Sequence, residues 1–95
     1  MRVHVTWEFE TQDVDKLIAK EIKYQEIIKK EPDKYPKNVI QVHIVDRNKA
    51  VTIWDVENQE QIANKIIYMM PEARATIVPI IEASDFMKLY MQSKK

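Results

Sequence analysis

The chain has no cysteine and no glycine. Without cysteine there are no disulfides, no thiolate metal ligands and no thiol nucleophile, which fits a reducing compartment. Without glycine, no residue takes positive φ freely. That excludes Walker-type and dinucleotide-type phosphate loops and any G-x-S-x-G nucleophile elbow, and it leaves tight turns to asparagine and aspartate. Charge of one sign is missing too: Lys and Arg number 15, Asp and Glu 15, so no net field draws nucleic acid or an anionic membrane. No uninterrupted apolar run of membrane-spanning length occurs, and the opening MRVHVTWEFE lacks the apolar stretch of a signal peptide. The expectation is a cytoplasmic protein without a nucleic-acid or membrane partner.

What remains is a single domain, residues 1–95, with 45% hydrophobic and 32% charged residues. A chain this short buries only about 60–68% of its unfolded surface, so its core is small. Residues 2–9 alternate, Val3, Val5, Trp7 and Phe9 against Arg2, His4, Thr6 and Glu8, which predicts a half-buried strand. From about Asp13 the period becomes helical, with Val14, Leu17, Ile18, Ile22, Gln25 and Ile28 on one stripe, Thr11 or Asp13 as cap and Pro32 as terminator. After the two prolines of EPDKYPKN, Ile40, Val42 and Ile44 alternate against Val39, Gln41, His43 and Val45. Val51 and Ile53 then alternate against Thr52 and Trp54.

Setting 42/44 and 51/53 on one face predicts a hairpin with Asp46-Arg47-Asn48-Lys49 as its loop, Asn48 holding the strained position. A second helix is predicted from Asn58, with Gln61 reaching back as in a capping box and Ile62, Ala63, Ile66, Ile67 and Met70 buried. ARATIVPII is a fourth strand, placed at an edge by Pro79, and a short helix follows from Ser84, carrying Phe86, Leu89 and Tyr90.

This order is that of an α+β, ferredoxin-like βαββαβ domain: a four-stranded antiparallel sheet in order 4-1-3-2, both main helices on one face, and a short C-terminal helix. The bare face needs a cover, and a second copy of the chain is the expected one. His4, Thr6, Glu8, Gln41, His43, Thr52 and Trp54 fall on that face and are the expected ligand-lining residues. His43 is the candidate catalytic residue, because imidazole suits general-base work or hydrogen bonding to a bound molecule. The competing reading is a wet, purely structural dimer interface. His4 and His43 are separated by a strand, so no metal is expected, and no cofactor. Trp7 is expected in the core with its indole N–H on a backbone carbonyl, whereas Trp54 would be free to stack on a planar ligand. Met69, Met70, Met87 and Met91 are expected as packing filler. An RNA-recognition module would present several aromatics and basic residues on the bare face, and only Trp54 and Arg2 qualify.

VHVTWEFE, VHIVDRNKAVTIWDVEN and ATIVPIIEA together resemble a family of short uncharacterised proteins in the dimeric α/β-barrel superfamily, typified by VTW in a strand, H-x-V-D-G in a hairpin and V-x-P in a late strand. The matching positions are Thr6, Trp7, His43, Asp46 and Pro79, with Arg47 where the family has its turn glycine. The superfamily includes antibiotic-biosynthesis monooxygenases, muconolactone isomerases, haem-degrading enzymes and ligand-sensing domains, which use the cavity between paired sheets. The resemblance therefore implies a homodimeric α/β barrel with a cavity for a small organic molecule. It names no reaction: a non-catalytic structural or sensing dimer and a cofactor-independent monooxygenase- or isomerase-like enzyme both fit.

Overall fold

The computed structural model describes residues 1–94. Its elements are β1 (Arg2–Phe9), α1 (Val14–Lys30), β2 (Lys37–Asp46), β3 (Lys49–Asp55), α2 (Gln59–Met69), β4 (Ala73–Pro79) and α3 (Ala83–Ser93), with short 3-10 turns at Thr11–Asp13 and Pro32–Lys34. The four strands form one antiparallel sheet in order β2-β3-β1-β4, the expected 4-1-3-2 read from the other edge, in a ferredoxin-like β-α-β-β-α-β arrangement. β4 is an edge strand, so the N–H that Pro79 lacks is not needed by a second neighbour.

The core lies where alternation on β1 put it: Val3, Val5 and Trp7 are buried. β3 departs from the expectation. Its register with β1 sets Val3 opposite Trp54, Val5 opposite Thr52 and Trp7 opposite Ala50, so Ala50, Thr52 and Trp54 share the helix-covered face while Val51 and Ile53 face the other way. Burying Trp54 removes far more apolar surface than burying Val51 or Ile53, and the small Ala50 leaves room for Trp7. Thr52 is tolerated there because its hydroxyl donates to the Ile40 carbonyl.

That carbonyl is free because β2 is irregular. Ile40 pairs with Ile53 and His43 with Val51, so two β2 residues, Gln41 and Val42, stand against Thr52 alone, the arrangement of a β-bulge. A second shift between Asn38 and Ile40 leaves Ile40 on the open face, while His43 and Ile44 alternate regularly, His43 on the open face and Ile44 on the helix side. The hairpin turn is Arg47-Asn48, two residues rather than four, and no non-glycine residue has positive φ among those described. Asn48 instead ties the turn to the end of β1, its Nδ2 donating to the Phe9 carbonyl at 2.8 Å.

α2 begins as expected, the Asn58 side chain accepting from the Gln61 N–H at 3.0 Å, with Gln61 Oε1 accepting from the Glu57 N–H one residue earlier than a strict capping box would. Its fully buried residues are Gln61, Lys65 and Met69, while Ile67 and Met70 are exposed. On α1 the buried residue is Tyr24, whereas Ile18 and Ile22 are exposed. α1 starts at Val14 with no side-chain cap from Asp13, and α3 starts one residue before Ser84 with Glu82 as an uncapping flank. No residue of α3 is buried, and the molecule measures 54 × 31 × 18 Å. No helix among the described residues is long and apolar enough to cross a membrane.

Candidate functional site

On the open face β1 supplies His4, Thr6 and Glu8, all half-buried, flanked by Ile53, Val51 and Lys49 of β3 and by Val78, Thr76 and Arg74 of β4. His43 lies beyond β3 on the same face, exposed, its Nδ1 2.6 Å from the carbonyl of Gln41. That backbone group is its one hydrogen-bond partner among the described residues, so no acid orients it as a general base.

The other three expected ligand-lining residues are not on this face. Thr52 and Trp54 are buried under the helices, and Gln41 is turned by the bulge toward the helix side. The open face therefore keeps His4, Thr6, Glu8 and His43.

Gln41 and Trp54 meet instead at a cavity of about 340 Å³ roofed by α1. Its walls are Val14, Leu17 and Ile18 of α1, Trp7 and Phe9 of β1, Val42 and Ile44 of β2, Ala50 and Trp54 of β3, Met69 of α2 and Ala73 of β4. The polar groups are Asn38, Gln41, Glu21 and Lys65. Sequence explains the opening. The buried side chain of α1 is Tyr24, held against Tyr35 (ring centroids 5.2 Å apart) and Tyr68 (5.7 Å), and this cluster anchors the C-terminal half of the helix. Toward its N-terminal half, the gap over β2 and β3 is left unfilled because β3 offers only Ala50 at that position.

The two tryptophans line the cavity in an edge-to-face pair, centroids 6.0 Å apart. Neither indole N–H has a hydrogen-bond partner among the described residues, so the backbone carbonyl expected for Trp7 is absent. No sealed-off side-chain nitrogen or oxygen lacks a partner either, so each indole N–H keeps some accessible surface.

Lys65 is 6% exposed. Its Nζ donates to Glu21 Oε2 at 3.3 Å and sits 3.2 Å above the centre of the Tyr24 ring. Burial holds this ammonium below its ordinary value, with Glu21 opposing the shift by charge and hydrogen bond. The Tyr24 phenol is raised, first by burial and then by the Glu21 carboxylate. Periodicity hid this cluster because Lys65 and Glu21 count as solvated charge. The signal present was the i, i+4 spacing of Gln61, Lys65 and Met69, which places a lysine on the face of a buried methionine. A second hollow, about 270 Å³, lies next to Tyr24 and Tyr35 and shares Asn38 and Gln41 with the first.

No family model, curated protein or solved structure matches the chain.

Proposed function

We propose that the protein binds a small, flat, largely apolar organic molecule in the cavity beneath α1. The observation that carries this reading is the chamber itself: about 340 Å³, apolar-walled, lined by two tryptophan side chains together with the polar groups Asn38, Gln41, Glu21 and Lys65. A pocket of that size and make-up is the usual form of a small-ligand site. Rings stack or meet edge-on with Trp7 and Trp54, and an acceptor oxygen or nitrogen on the ligand takes a hydrogen bond from an indole N–H.

Thermal unfolding with indole, 2-naphthol and benzoate as probes tests it, alongside Ala50→Leu, which fills the chamber. A probe at 100 times its dissociation constant stabilises a protein by about 2.7 kcal/mol. The midpoint of the wild-type protein rises with at least one probe, and Ala50→Leu removes that rise while remaining folded. Equal shifts in both proteins contradict the site.

A second reading concerns assembly. Exposed Ile40 and Val78 frame half-buried Val51, Ile53, His4 and Thr6 on the open face, and α3 projects with Phe86, Leu89 and Tyr90 uncovered. The occupant that suits a self-similar mixed face is a second copy, as the resemblance to dimeric α/β-barrel proteins also implies. Sedimentation equilibrium tests this: a dimer of the 11.3 kDa chain is expected, converted to monomer by Val78→Asp. In that reading the enzyme-like alternative loses its base, because His43 hydrogen-bonds to its own strand rather than to a polar side chain.

A further inference from the structure

We infer that Lys65 is a carbonyl-reactive amine and that the molecule taken up under α1 is an aldehyde or ketone on an apolar ring, held as a Schiff base. This rests on the binding reading above and names its ligand class.

Lys65 and Glu21 both line the chamber, and their ion pair is lopsided in burial: the lysine side chain is 8% exposed and the carboxylate 42%. Of the three ammonium donors of Lys65, one is used by Glu21, and no other hydrogen bond to Lys65 occurs among the described residues. The amine is thus held in place without being saturated. Desolvation favours the neutral, nucleophilic form of a lysine, the usual way such an amine is activated. The face of Tyr24 accommodates the positive charge that the nitrogen carries before and after reaction.

The steps balance without an oxidant or reductant. Glu21 accepts a proton from the Lys65 ammonium. The freed nitrogen pair forms a bond to the carbonyl carbon, the C=O π pair moves to oxygen, and a proton passes from that nitrogen to the oxygen to give a neutral carbinolamine. The C–O bond then breaks, the hydroxyl taking the proton held by Glu21 and leaving as water, and the nitrogen pair closes the C=N bond to give the protonated imine. An amine and a carbonyl become an imine and water. Protonated, the imine keeps the charge that Glu21 already faces.

Benzaldehyde with sodium borohydride, which reduces any imine to a stable secondary amine, tests this at neutral pH, read by intact mass and peptide mapping. Benzyl alcohol, which has the same ring and no carbonyl, is run in parallel by thermal shift. Lys65 is expected to be modified in preference to exposed Lys16, Lys23 and Lys88, and that adduct is lost in Lys65→Met. Lys65→Arg keeps the ion pair and the contact with Tyr24 and also loses the adduct, which holds the test valid should the methionine variant fail to fold. If benzyl alcohol shifts the midpoint while borohydride leaves adducts only on exposed lysines or the N-terminus, the Schiff-base inference is wrong and the binding reading stands. If benzyl alcohol gives no shift and Lys65 stays unmodified, both fail.

Discussion

Truncating either partner of the Lys65–Glu21 pair has unequal consequences. Lys65→Met removes the buried charge and leaves only a carboxylate that water still reaches, so no uncompensated buried charge remains and stability is expected to change little. Glu21→Ala leaves the ammonium buried with only the Tyr24 ring for company, and costs about 1–3 kcal/mol in urea unfolding. The same burial sets a pH dependence. Because Lys65 binds its proton less tightly folded than unfolded, its penalty is full at neutral pH and is relieved as pH rises from the lowered folded value toward 10.5. Tyr24 acts in the opposite sense: its contribution is present below pH 10.0 and is lost as pH rises beyond it, since the folded phenol keeps its proton longer. At the acid end, the Glu72 carboxylate is held below its ordinary value chiefly by its hydrogen bond from Lys20. Its stabilisation is present above pH 4.5 and disappears as pH falls through the lowered folded value, so Glu72→Gln flattens the acid limb of the urea midpoint profile.

Among the elements, β3 separates the two possible cores most sharply. Trp54→Ala is expected to destabilise the protein by about 3–5 kcal/mol, whereas His43→Ala on the open face changes stability by less than about 0.5 kcal/mol, both read from urea unfolding. Asn58→Ala, which removes the cap of α2, costs about 1 kcal/mol. The strand and helix order was legible because periods of two and 3.6 alternate cleanly along the chain, and Pro79 marked the edge strand. The facing of β3 was not legible: Val51 and Ile53 carry the more apolar alternation, and only the pairing with β1, a long-range fact, selects Ala50, Thr52 and Trp54. The β2 bulge was equally hidden, since the unbroken alternation of Val39 to Val45 gives no sign of an extra residue opposite Thr52. Of the expected site residues, His4, Thr6 and Glu8 followed from the alternation of β1, and His43 from that of β2, with Val42 and Ile44 on the helix side as expected. Gln41, Thr52 and Trp54 fell to the other face for these two reasons, taking the aromatic wall of the site with them.

At the scale of the molecule, a radius of gyration of 15.6 Å exceeds the roughly 12 Å of a compact chain this long, and the excess reflects α3, none of whose residues is buried. The open sheet face and the chamber under α1 lie on opposite sides of the sheet, and the chamber is lined by residues of one chain. Binding and pairing are therefore separable. The most direct test of binding under α1 is a ¹⁵N–¹H correlation spectrum titrated with indole, in which the two tryptophan side-chain N–H signals report on the chamber. Saturable shifts of the Trp7 and Trp54 indole signals, together with the backbone amides of Val42, Ile44 and Ala50, are predicted. Shifts confined to His4, Thr6 and His43 on the open face, or none that saturate, would contradict it.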